Sequence, residues 1–146
     1  MPSRSNRFTR GIAALCFLPA VVGALAAPGV VWAEEKPYAV RDGKVDRATF
    51  NGWRRYTESC LRCHGPDGAG SSYGPDLVGS LQNISGDQFK EVVINGRQNV
   101  TTSTTSVMPP FGEVEDVALY IDDIYAYLKA RSDGVLGRGR PERFDR

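Results

Sequence analysis

The chain has 146 residues, with 18 Lys and Arg against 17 Asp and Glu, one His, three Cys and two Met. That is room for one modest domain. The near balance of charge, +1 overall, gives no basic excess of the kind nucleic acid requires, so no nucleic-acid partner is expected.

Residues 1–33 read as a cleaved signal peptide. Arg4, Arg7 and Arg10 form a basic start without acids, an apolar stretch follows over 11–27, and Val31-Trp32-Ala33 offers small residues before Glu34. A transmembrane anchor is the alternative, but Pro19, Pro28 and several glycines interrupt the stretch. A lipoprotein fits less well, because Leu15 precedes Cys16 where a small residue is needed. The expected mature protein is periplasmic, without a membrane anchor and monomeric. Losing three arginines moves its formal charge to about −2.

Residues 34–46 form an N-terminal extension, and 47–134 the main domain. Asp46 is placed to cap a helix over about 47–59, with Phe50, Trp53 and Tyr56 at helical spacing. That helix runs directly into Cys60-Leu61-Arg62-Cys63-His64. Two thiols three positions apart, followed at once by an imidazole, form the attachment pattern of c-type haem. The thiols add across the porphyrin vinyl groups, and His64 becomes the proximal iron ligand. The rival readings are weaker. A redox disulfide would want a βαβ pattern around it, which is absent. A structural zinc site would lack a fourth ligand, since no other Cys or His remains after Cys16 is removed.

Residues 65–84 are rich in Gly, Ser, Pro and Asp and read as loop. Ser85 and Gln88 form a capping box for a second helix that ends near Gly96, with Phe89, Val92 and Val93 on its buried side. The Thr- and Ser-dense run over 100–107 reads as a polar loop leading to Val107-Met108-Pro109-Pro110-Phe111. Met1 leaves with the signal, so Met108 is the one mature methionine, and His64 is the chain's one histidine. By elimination Met108 is the candidate sixth ligand, its alternative being a gap-filling core methionine. The two prolines suit a rigid loop better than a periodic core element. His/Met ligation fills the iron's coordination sphere and favours the ferrous state, which points to an electron carrier and not an enzyme.

The last helix carries Val117, Tyr120, Ile121, Ile124, Tyr127 and Leu128 on one stripe, with acids at its start, Lys129 and Arg131 at its end, and Gly134 as the stop. Residues 135–146 lack periodicity and read as an extended tail. No strand pattern is visible, so the expected fold is all-α, about three main helices around one covalent haem c.

These elements, in this order, resemble class I cytochrome c over about residues 49–131. In that family a glycine and an aromatic placed like Gly52 and Tyr56 pack the first helix across the last, where Tyr127 would meet them. Gly74-Pro75-Asp76-Leu77 matches the family's Gly-Pro-x-Leu. The resemblance implies that the Pro75 carbonyl accepts a bond from His64 Nδ1–H.

A narrower likeness lies in Asp42-Gly43-Lys44-Val45-Asp46, Gly52-Trp53-Arg54-Arg55-Tyr56, the run from His64 to Ser72, and Asp122-Asp123-Ile124-Tyr125-Ala126-Tyr127-Leu128-Lys129-Ala130-Arg131 with the Gly-Arg-Gly-Arg-Pro tail at 137–141. These resemble periplasmic cytochromes that accept electrons from PQQ-dependent methanol and other alcohol dehydrogenases, lanthanide-dependent ones included. The resemblance implies such a dehydrogenase as donor and a downstream cytochrome or oxidase as acceptor. A general donor to a terminal oxidase or reductase, and a haem enzyme or gas sensor, are the alternatives. Glu113, Glu115, Asp116, Asp122 and Asp123 form an acidic docking candidate. Arg54, Arg55 and Arg97 are the basic candidates, for docking or for a haem propionate.

Overall fold

The computed structural model describes residues 35–100 and 105–144. The chain divides into two units, 1–33 and 34–146, and the description concerns the second; the expected signal peptide lies outside the described residues.

Among the described residues six α-helices follow in order. Three are long: α1 (Arg47–Ser59), α4 (Gly86–Asn95) and α6 (Ile121–Ser132). Three are single turns: α2 (Leu61–His64), α3 (Leu77–Ser80) and α5 (Glu115–Ala118). The caps are those the sequence calls for. Asp46 Oδ1 accepts from Thr49 N at 2.7 Å, while Ser85 and Gln88 close a reciprocal capping box on α4. One expected helix is broken. The stripe from Val117 to Leu128 holds its buried face, but the backbone kinks at Tyr120 (φ −116°, ψ 23°) and splits it into α5 and α6.

α1 and α6 cross at the centre of the core. A Cβ on Gly52 would lie 1.7 Å from the Asp123 carbonyl oxygen, so only a glycine permits this approach. Tyr56 and Tyr127, both fully buried, meet tilted at 50° with ring centroids 5.6 Å apart. Leu81, Phe89, Val93, Val117, Ile124 and Leu128 complete the core around them.

Strands also form, contrary to the all-α expectation in detail. β1 (Val40–Arg41) and β2 (Lys44–Val45) make a hairpin through Asp42 and Gly43, both at positive φ. β5 (Glu142–Arg143) pairs with β2 in parallel. The tail is therefore extended but not loose. It leaves α6, buries Leu136, and returns to the N-terminal hairpin, where Phe144 N donates to Val45 O at 3.1 Å. Of the expected polar loop over 100–107, residues 101–104 lie outside the described residues; on either side of them β3 (Arg97–Val100) and β4 (Thr105–Met108) pair antiparallel as the arms of a second hairpin. Its Thr and Val residues suit extended backbone.

Two depressed carboxyls fasten these ends. Burial pushes Asp133 up, but hydrogen bonds from Lys129, Lys36 and Tyr38 outweigh it and hold the carboxyl well below the usual range. At Asp67 burial also raises, and bonds from Gly139 and Arg138 with the charges of Arg131 and Arg138 again win. A depressed carboxyl contributes stability that is fully present above its unfolded pKa of about 3.9 and is lost as pH falls through the lower folded value. Thermal melts of the holo-protein should therefore drop steeply between about pH 5 and about pH 2. Asp133→Asn should flatten that limb in part; a profile unchanged by the substitution would show that Asp133 is not linked to folding.

Candidate haem site

Cys60 ends α1, its N–H donating to Tyr56 O, and the same residue starts α2. Bonds from Cys63 N and His64 N to Cys60 O, at 3.2 and 3.0 Å, wind the motif into one helical turn. Cys60, Cys63 and His64 thus stand at i, i+3 and i+4 on one face, which is why the spacing works. Cys63 is exposed and Cys60 half-buried. Burial, then the neighbouring Cys63, pushes the Cys60 thiol up to about 12. Disulfide-exchange enzymes need the opposite, a lowered thiol pKa.

His64 is buried, and its Nδ1 lies 3.0 Å from the Pro75 carbonyl oxygen. A carbonyl only accepts, so the ring proton sits on Nδ1 and the Nε2 lone pair is left to coordinate. Gly74 makes this possible: a Cβ there would come within 3.0 Å of His64 Nδ1 and 2.9 Å of Cys63 O. Ser71 Oγ donates to Cys63 O, bracing the other side of the motif.

The chain after His64 is held by α1 and the tail. The buried Tyr56 hydroxyl donates to Gly65 O at 2.5 Å and accepts from Gly68 N at 2.9 Å. Asp67 takes a positive φ of 60° and accepts from Gly139 N and Arg138 Nε at 3.0 and 3.2 Å. Neither role was read from the sequence, although Pro66-Asp67-Gly68 is a turn signature that tolerates positive φ. Tyr56→Phe would leave both Gly65 O and Gly68 N–H buried without a partner. It should cost about 1–3 kcal/mol in denaturant unfolding of the holo-protein, and a loss within experimental error would show that water replaces the hydroxyl.

Met108 ends β4, opposite Arg97. The turn that follows is fastened to the end of α4 by Phe111 N to Val93 O, 3.0 Å, and Gly112 N to Ile94 O, 3.2 Å. Gly96, at φ 74°, lets Met108 approach: a Cβ there would sit 2.7 Å from Met108 O and 2.9 Å from Pro110 N. Arg97 is exposed and gives Nε to Asn99 Oδ1 at 3.1 Å. The other charged candidates are mostly paired. Arg55 bonds Asp116 at 2.9 Å and Glu58 at 3.2 Å, Asp122 holds Lys90 at 3.0 Å, and Asp123 accepts from Asn51 at 2.7 Å. Of the expected acidic stretch, Asp116, Asp122 and Asp123 thus have partners within the chain.

The residues fit a covalent porphyrin. Two cysteine sulfurs are present for thioether bonds, beside one imidazole whose Nδ1 is taken up by Pro75 O. Leu77, Ile84, Ile94, Met108 and Phe111 are half-buried at the edge of the core and keep apolar surface outside it.

Residues 47–128 match the family described as "Cytochrome C oxidase, cbb3-type, subunit III". The chain belongs to this cytochrome c family. It is a c-type cytochrome, and with one attachment motif it carries one haem c. Cytochrome c-553I of Paracoccus denitrificans is 52% identical over 68% of this chain and 44% of its own length. Cytochrome c-555 of Methylococcus capsulatus is 43% identical over 84% and 85%. The cytochrome thus spans under half of one curated relative and most of the other. The crystal structure of the c-type cytochrome XoxG from Methylobacterium extorquens AM1 matches with a TM-score of 0.65 and 37% identity, over 79% of this chain and 77% of that one. The class I cytochrome c fold expected from the sequence is the fold observed.

Proposed function

We propose that this cytochrome is a periplasmic electron shuttle with His64 and Met108 as axial ligands. It takes electrons from a PQQ-dependent alcohol dehydrogenase, such as one oxidising methanol or ethanol, and hands them to a downstream cytochrome or oxidase. When bound, the haem supplies a one-electron couple whose potential a thioether ligand raises. The observation that carries the reading is the pairing of a preset imidazole with a braced loop. Pro75 O fixes the His64 ring, and the end of α4 fixes the turn bearing the one mature methionine. Both ligands are held before electron transfer, so little need move when the charge changes. Arg97, exposed beside Met108 in the hairpin, is assigned to a haem propionate. Export rests on the sequence of residues 1–33; among the described residues no helix is long and apolar enough to cross a membrane.

The donor rests on the likeness of 42–46, 52–56, 64–72, 122–131 and the 137–141 tail to cytochromes serving such dehydrogenases. Stopped-flow mixing of the oxidised cytochrome with a purified PQQ alcohol dehydrogenase and its alcohol tests it. Fast haem reduction that saturates at micromolar cytochrome is expected. Reduction no faster than that of an unrelated acidic cytochrome would leave a general carrier.

A further inference from the structure

Two distant lengths of chain build an arginine-lined groove on the first two turns of α1. Arg47, Asn51 and Arg54 recur at i, i+4 and i+7 and so share a stripe of that helix. The pairing of β5 with β2 delivers Arg143 to the same stripe, its guanidinium 5.6 Å from the Phe50 ring centroid. With Arg55, Tyr120 and Asp123 these residues enclose about 530 Å³.

The charges in the groove are uneven. Arg55 is a fixed wall, bonded to Asp116 and Glu58 and stacked 4.6 Å over Tyr120. Asp123, the one carboxylate lining the groove, is engaged by Asn51. Arg54 is half-exposed and reaches Glu58 only at 3.7 Å, a pair of little energy. Arg47 is exposed and makes no ion pair among the described residues. The result is a positive concavity on a protein whose mature charge is negative overall.

We propose that this groove docks an acidic segment of a protein partner. Guanidinium forks take carboxylates in paired hydrogen bonds. Phe50 and Tyr120 supply aromatic walls for a peptide, and Leu119, 67% exposed beside Tyr120, supplies an apolar rim. A concavity of this size admits peptide side chains, whereas a bilayer surface meets flat or convex patches. Along α1 the groove begins about 20 Å from the haem-bearing cysteines at Arg47 and ends about 9 Å from them at Arg54. A partner segment held there is kept close to the haem motif, which raises its effective concentration. The docking does not depend on which dehydrogenase is the donor.

Fluorescence anisotropy with the holo-cytochrome and a labelled Glu-rich peptide tests the proposal directly. Saturable binding is expected that weakens as salt rises from about 50 mM to about 300 mM, with none to a Lys-rich counterpart. The double variant Arg47→Glu/Arg54→Glu should bind about tenfold more weakly or worse, with circular dichroism and haem spectrum unchanged. Arg47→Lys/Arg54→Lys should retain part of the affinity, separating charge from fold damage. No saturable binding, or equal affinity in the charge-reversed variant, would overturn the proposal. So would preferential binding to phosphatidylglycerol vesicles that the same reversal abolishes, since that would assign the groove to a membrane.

Discussion

Gly52→Ala should destabilise the holo-cytochrome by about 3 kcal/mol or more, seen as a fall in melting temperature of about 10 °C or more. The sign is what makes the test sharp. In an exposed helix interior the same substitution stabilises, because alanine is the better helix former by about 0.8–1.0 kcal/mol. Here the added methyl would fall 1.7 Å from Asp123 O and 2.4 Å from Asp123 C, both backbone atoms of α6. Neither is the end of a flexible side chain, so relief requires the two helices to part. Parting them unseats the Tyr56–Tyr127 contact, and with it the hydroxyl that holds the chain after His64. Holo-protein yield should fall with stability, since attachment needs the motif presented at the end of α1. A variant as stable as the parent, or more so, would show that the crossing is looser than the geometry requires.

The sequence made the frame readable because its signals there are local and strong. Asp46 as cap, the Ser85 and Gln88 box, and the attachment motif at the end of α1 each act within four residues and appear as expected. What was illegible is held by contacts distant in sequence. The tail carries no periodicity, because what fixes it is Asp67, some seventy residues earlier, and the edge of β2. Asp42-Gly43 between Val40 and Val45 is a hairpin signal, yet two-residue strands are too short for alternation to show. The kink at Tyr120 leaves the hydrophobic stripe intact, so periodicity could not reveal it. The candidate site divides in the same way. Cys60, Cys63 and His64 are local and clear, and Pro75 entered through a family resemblance that the 3.0 Å approach to His64 Nδ1 matches. The Tyr56 hydroxyl was expected only as an aromatic in helix packing, not as a bridge between Gly65 and Gly68.

Met108→Ala should change the chemistry of the cytochrome more than its fold. Removing the thioether should abolish the methionine–iron charge-transfer band and lower the midpoint potential by on the order of 100 mV, because the soft neutral ligand that favours ferrous iron is gone. The ferrous form should then bind carbon monoxide rapidly at neutral pH, which the parent should resist. Stability should fall as well, since Met108 packs against the core as a half-buried side chain. That loss is shared by the core-methionine alternative and decides nothing. Met108→Leu keeps the volume and removes the sulfur, so it isolates the ligand role: band and potential should go while most of the stability stays. Gly96→Ala gives an independent handle. It leaves the thioether in place but sets a methyl 2.7 Å from Met108 O at a backbone position of φ 74°. If the turn after β4 positions the sulfur, this remote change should weaken the band and raise carbon monoxide binding without touching Met108 or His64. A Met108→Leu protein that keeps the band and the parent potential would instead make Met108 a packing residue, and would return the haem enzyme and gas sensor to consideration.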